Sequence, residues 1–240
     1  METGHNKNVA NFETVIIILT GLGAAYAPPQ ALISLAALQQ LHADAQAALT
    51  EVDTAQAEKT VAVDEAQAEF ADLQKYVVNI KRQAEVEVND PAFTADLQTV
   101  INEFHPPGRK TGLPDDPLTP DIDESKTSAS QSQQSRDNQI AYLADISALL
   151  KTNSVYKAIG TPYATTAIDA KIASLTAKNN ALTAATAALG TKIDTRDTLL
   201  YTDQSGLTDR VILIKKYVLL TFGKDSAAYQ QLSALEFRKY

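Results

Sequence analysis

The sequence predicts an all-α fold, an elongated helical bundle built from two repeated units of short helix, long helix and short helix. Three observations carry this. Residues 30–89 contain neither Gly nor Pro, a run that would span roughly 90 Å as one unbroken helix. Within it Leu35, Leu38, Ala45, Leu49, Val52, Val63, Ala66, Phe70, Leu73, Val77 and Ile80 keep one seven-residue register, the a/d pattern of a helix packed lengthwise against others. The same order of elements then recurs in the second half, which points to an internal duplication.

Composition agrees. Trp and Cys are absent, and the 9 Gly and 9 Pro among 240 residues gather mainly in connections. Such usage favours helices over strands. Without cysteine there is no disulfide framework, thiolate nucleophile or thiolate metal ligand.

The chain divides into a first helical repeat (1–104), a Pro/Asp/Ser-rich linker (105–127) and a second helical repeat (128–240). A short helix over 8–22 is apolar almost all round through Phe12, Val15, Ile16, Ile18 and Leu19, so it is expected in the core. Gly21 and Gly23 end it. Pro29 suits the first turn of the long helix that follows, where a missing N–H costs nothing. The stretch 51–59 is the polar part of that helix, but its residues all suit a helix, which favours continuity with at most a kink. Asp90 caps and Pro91 opens a further short helix to about residue 103. Pro114, Pro117 and Pro120 mark the linker, whose apolar area is too small to repay ordering.

Residues 140–150 supply the next short helix, and 165–222 a second long stretch, broken near 201–206 because Gly206 weakens a helix. A last short helix covers 227–237. Setting Tyr26 on Tyr163 pairs Leu35 with Ile172 and Leu38 with Leu175. Lys75-Tyr76-Val77 then matches Lys216-Tyr217-Val218 after a shift of four.

Asn11-Phe12-Glu13, the Thr-Gly-x-Gly-Ala-x-Tyr-x-Pro of 20–28, and Lys216-Tyr-Val with Phe222-Gly-Lys-Asp-Ser226 and Tyr229 together resemble a family of duplicated all-helical bacterial proteins of uncharacterised function. The resemblance spans most of the chain apart from the linker. It implies the duplication and no activity.

The formal net charge is −8, which argues against a nucleic-acid binder. Residues 1–125 hold 7 Lys/Arg against 20 Asp/Glu, and 126–240 hold 14 against 9. The halves therefore carry opposite charge and should attract, within one molecule or end to end between molecules. The first residues lack the basic and apolar regions of a signal peptide, and 15–19 is too short to cross a bilayer. A soluble, cytoplasmic protein is the expectation.

Candidate sites are few. Glu103 and His105 could hold a metal or move a proton, but an exposed helix end is the simpler reading. Glu-x-x-His occurs once, from Glu2 to His5, and a di-iron bundle needs two such pairs, which disfavours that class. His42, Gln56 and Lys59 put polar groups on the apolar seam. They form either a small-ligand pocket or a set of register-fixing groups, and Lys59 can reach solvent along its stem. Thr20 to Ala24 lacks the Lys-Ser/Thr of a phosphate loop. The carboxylates around Asp64 and from Asp194 to Asp197 lie on hydrated faces. Tyr76, Tyr142, Tyr217 and Tyr229 suit core edges with hydroxyls near water.

The expected function is a non-enzymatic structural or protein-interaction bundle, without cofactor or metal, that binds a protein partner or itself. One alternative is a membrane-active, helical toxin-like component exposing residues 15–27. A further alternative is a small-ligand-binding bundle.

Overall fold

The computed structural model describes residues 2–104 and 135–240. Among these the chain is all-helical, with no strand. The helices are α1 (Glu2–Gly21), α2 (Leu35–Phe70), α3 (Leu73–Val88), α4 (Pro91–Phe104), α5 (Arg136–Thr152), α6 (Thr165–Tyr201), α7 (Leu207–Phe222) and α8 (Ala227–Ala234).

Several boundaries follow from local chemistry. α1 ends at Gly21, and Gly23 takes a left-handed φ of 54°, open to glycine without a Cβ penalty. Pro29 does not start α2. A 3-10 turn over Ala31–Ile33 comes first, and Ser34 then caps the helix, its Oγ accepting from the Ala37 N–H at 3.4 Å. Residues 51–59 are continuous helix inside α2. The interruption falls instead at Ala71-Asp72, where α3 restarts with the Tyr76 N–H donating to the Asp72 carbonyl at 2.9 Å. Asp90 caps α4 as expected, accepting from the Ala92 N–H at 2.9 Å. The break after α6 falls at the expected place. There a Cβ on Gly206 would lie 2.7 Å from the Thr202 backbone nitrogen, so only glycine fits.

The helices gather into two compact units: Met1–Thr60 with Ala185–Tyr240, and Val61–Ala184. These are not the two sequence halves, since each unit draws segments from both. The Pro/Asp/Ser-rich stretch 105–127 lies outside the described residues.

The first unit holds α1, the start of α2, the end of α6, α7 and α8. Phe12, Val15, Leu19, Leu38, Leu200, Leu207, Ile214 and Val218 form its core. α2 and α6 meet through Val52, Ala55 and Leu189, and Lys192 reaches Glu51 at 2.9 Å.

The second unit holds the end of α2, α3, α4, α5 and the start of α6. Leu73, Val77, Ile80, Leu97, Leu143, Ile146, Leu150, Ile168 and Leu175 fill its core. Its α2 and α6 segments run antiparallel, with Lys178 on Glu65 at 2.8 Å and Lys171 on Glu69 at 2.7 Å. In all three of these ion pairs the carboxylate comes from the acidic half and the ammonium from the basic half.

Candidate functional site

The polar seam residues do not converge. Gln56 lies 14 positions beyond His42 on the same helix, about 21 Å along its axis, and its side chain is exposed. Lys59 is half-buried near the end of the first unit's α2 segment. His42 belongs to a shallow groove of about 380 Å³ between α1 and α2, lined by Glu13, Ile16, Ile17, Thr20 and Gln39. Its ring packs against Phe12, centroids 6.4 Å apart, and its Nε2 is buried without a hydrogen-bond partner among the described residues.

A second groove of about 340 Å³ lies between α5 and α6, lined among others by Ser147, Lys151, Asp169 and Ile172. Here the polar groups are paired. The Ser147 hydroxyl donates to Asp169 at 2.7 Å, and the Lys151 ammonium does so at 2.8 Å. Lys151, and after it Ser147, hold the Asp169 carboxyl below the usual carboxylate range. A carboxylate stabilised in that way is a weak base, so Ser147 is not activated as a nucleophile. The trio fastens α5 to α6.

A third polar cluster fixes the 153–164 connection. The Glu87 carboxylate accepts at Oε2 from the consecutive N–H groups of Lys157, at 2.8 Å, and Ala158, at 2.9 Å, while its Oε1 accepts from the Gln83 amide at 2.7 Å and from the Ala158 N–H at 3.1 Å. Ala158 is fully buried and has φ 45°, so successive amides converge on one anion as in a backbone nest. The Ala158 N–H and then the Lys157 N–H lower the Glu87 pKa. Burial, with Glu87 second, pushes the Tyr156 phenol up. Sequence reading missed this cluster, because Glu87 reads as one more polar residue in the last turn of a helix.

In the first unit α1 binds the segment after α8. Asn8 donates to the Arg238 carbonyl at 2.7 Å and accepts from the Arg238 N–H at 3.2 Å. Its amide thus serves both backbone groups as a strand neighbour would. His5, nearly fully buried, has Nδ1 2.7 Å from the Tyr201 hydroxyl. A Cβ on Gly4 would overlap the outer end of the exposed Tyr240 ring, which would have to shift. No sequence signal marked them, since Gly4, His5 and Asn8 stand among the other polar residues, Asn6, Lys7 and Asn11, that open the helix.

The remaining expectations are placed as follows. Val15, Ile16, Leu19 and Tyr26 of the 15–27 segment are core residues, while Ile17 is exposed. Glu103 is exposed at the end of α4, and His105 lies outside the described residues. Asp64 and Asp194 are exposed. Asp197 pairs at 2.8 Å with Arg196, which is buried. Tyr76, Tyr142, Tyr217 and Tyr229 are all half-buried, and the Tyr76 hydroxyl donates to the Pro162 carbonyl at 2.7 Å. Among the described residues no group of three or more His, Cys, Asp or Glu is placed to hold a metal ion, and no helix is long and apolar enough to cross a membrane.

The outward faces of α3 and α7 are a surface feature that no seam position foretold. α7 buries Leu207, Val211, Ile214 and Val218. It also turns Ile212 (50% exposed) and Leu220 (85%) to solvent, with Leu219 (37%) beside Ile212 and Lys216 between the pair. α3 buries Leu73, Val77, Ile80 and Ala84 and exposes Val78 (38%) and Val86 (81%) at the same spacing of eight. On an α-helix that spacing keeps both side chains within about 80° of each other, on one face.

No protein family model matches the chain, and neither a curated protein nor a solved structure matches it.

Proposed function

We propose that the protein is a non-enzymatic interaction module built from a duplicated helical unit, and that it binds partner helices through the outward stripes of α3 and α7. The observation that carries this reading is the pair Val78/Val86 on one helix and Ile212/Leu220 on the other. Each pair sits eight residues apart, opposite a fully buried face. A solvated face has no need of apolar groups at those positions in both units. Apolar anchors at helical spacing are what a groove-binding or face-binding helix recognises.

The charge distribution bears on the choice between partner binding and head-to-tail assembly. Lys171, Lys178 and Lys192 are already paired with Glu69, Glu65 and Glu51 inside the units. Those charges are spent within one chain, which favours an apolar contact over an electrostatic head-to-tail one.

The test is a Val86→Glu, Leu220→Glu double variant. It should keep the helical circular dichroism and thermal midpoint of the parent, because both side chains are exposed. It should lose the proteins that cross-link to the parent in cells of the native host, or lose the parent's concentration-dependent association in sedimentation. Unchanged cross-linking and unchanged association would remove the reading.

A further inference from the structure

We infer that the two halves of the chain are repeats which complete each other by reciprocal exchange: each half presents a surface whose partner is a second copy of the same repeat. This rests on the duplication proposed above, and extends it to a residue-by-residue correspondence and a physical consequence.

The correspondence comes from buried positions. Phe12, Val15, Ile16 and Leu19 of α1 map, 131 residues on, to Leu143, Ile146, Ser147 and Leu150 of α5; all eight are buried. Leu38 and Ala45 of α2 map, 130 on, to Ile168 and Leu175 of α6, all buried. Leu73, Val77, Ile80 and Ala84 of α3 map, 134 on, to Leu207, Val211, Ile214 and Val218 of α7, again all buried.

Two changes of offset have visible causes. The connection after α5 is one residue shorter than that after α1. The step of four is one extra residue in α6 and a break three residues longer, where Thr202 to Gly206 does the work of Ala71-Asp72 and Gln204 takes φ 65°.

Hydrogen bonds follow the same correspondence. The Tyr26 hydroxyl donates to the Ile33 carbonyl seven residues on, at 2.6 Å, just before α2. The Tyr156 hydroxyl donates to the Tyr163 carbonyl seven residues on, also at 2.6 Å, just before α6. The ring contacts do not follow the correspondence: Tyr217, which Tyr26 meets, corresponds to Gln83, and the Tyr163–Tyr76 contact corresponds to Ile33 and Arg210. The two α1–α2 and α5–α6 grooves do coincide: Thr20, Gln39 and His42 stand where Lys151, Asp169 and Ile172 do. Pairing Tyr26 with Tyr163, as sequence alone suggests, is therefore displaced by seven residues. One heptad is the slip that a seven-residue pattern cannot detect.

Under this correspondence each unit has one composition. It takes a short helix, a tyrosine-locked connection and the start of a long helix from one half. It takes the end of the long helix and the two helices after it from the other half. Neither half owns a complete core: α1 packs against α7 and α8, and α5 against α4, sharing one core with α3. A half alone would expose the apolar faces of both its long helix and its short ones.

The experiment uses the intact chain with a protease site placed within 105–127 and cut after folding. The cut protein should elute as one particle with its helical signal retained. Its urea midpoint should now rise with protein concentration, whereas that of the uncut chain should not. Separation into two helical monomers with concentration-independent midpoints would overturn the inference. Tyr26→Phe and Tyr156→Phe test the correspondence itself in the uncut chain. Each should speed amide exchange at the start of its own long helix, near residues 38–42 or 168–172, by about three- to tenfold. Acceleration from one variant and not the other would overturn the pairing of these residues.

Discussion

The two units solve one packing problem with different fasteners. In the unit of α1, α7 and α8, the short helix is held by apolar and aromatic contact and by the Asn8 amide on the Arg238 backbone. In the unit of α3, α4 and α5, carboxylates do the fastening: Asp169 on Lys151 and Ser147, Glu87 on two backbone N–H groups, Glu69 on Lys171. The lesson is that buried apolar positions set where the helices lie, while the polar latches vary freely around them. Under the proposed correspondence Gln39 and Asp169 occupy like places, and only the second makes a latch.

The largest test of that comparison lies in the cores. Phe12→Ala and Leu143→Ala remove side chains fully buried at like positions in the two units. Each should lower unfolding free energy by about 2–5 kcal/mol, read from urea titration. A loss below about 1 kcal/mol for either one would break the comparison at its base.

Next comes the Glu87 latch, which has no counterpart in the first unit. Glu87→Ala leaves the buried Ala158 N–H without its acceptor and should cost about 1–2 kcal/mol. Among the described residues, acid should act chiefly on the same unit, which holds three carboxyls of lowered pKa where the first holds Asp209, lowered by the Gln204 N–H and then Lys239. Backbone N–H groups lower Glu87, Lys151 lowers Asp169, and Lys171 lowers Glu69. A carboxyl whose folded pKa is depressed adds stability above its unfolded value, about 4 for Asp and Glu. That stability is lost as pH falls through the lower folded value. Hydrogen exchange measured from pH 6 down to 3, corrected for intrinsic rates, should show α5 and the 153–164 connection losing protection before α1. Earlier loss in α1 would reverse the assignment of fasteners.

Asn8→Ala should cost about 1 kcal/mol and free the 235–240 segment, visible as faster exchange there and nowhere in α3 to α5. The smallest effect is expected from Lys192→Ala. Its partner Glu51 is exposed, so the change should lie between about 0 and 1 kcal/mol. A larger loss would mean that charge pairing, rather than apolar burial, joins α2 to α6 in that unit.

Much of the fold was legible in the sequence because helix formation leaves strong local marks. The Gly- and Pro-free runs, Asp90 before Pro91 and Gly206 after Tyr201 located most helices and their ends. Pro29 misled, because Ser34 offered a better cap five residues later. Ala71-Asp72 was invisible, since neither residue is a Gly or Pro that breaks a helix by propensity. The division into units was equally hidden. Sequence order suggests repeats, but which half completes which core depends on contacts between residues more than a hundred positions apart, such as Lys171 and Glu69. Of the site residues, the seam pattern marked His42 as unusual and gave no hint that its neighbours would be Glu13 and Thr20 instead of Gln56 and Lys59. The stripes on α3 and α7 escaped notice because a single apolar pattern accounts for a helix without asking which positions are left outside.

Hydrogen exchange of the intact chain under mild denaturant tests the central claim most directly, by showing which segments open together. The account predicts that α1, the first part of α2, the end of α6 and α7 share one opening free energy. It predicts that α3, α4, α5 and the start of α6 share another. Opening in two blocks that match residues 1–104 and 135–240 would contradict it.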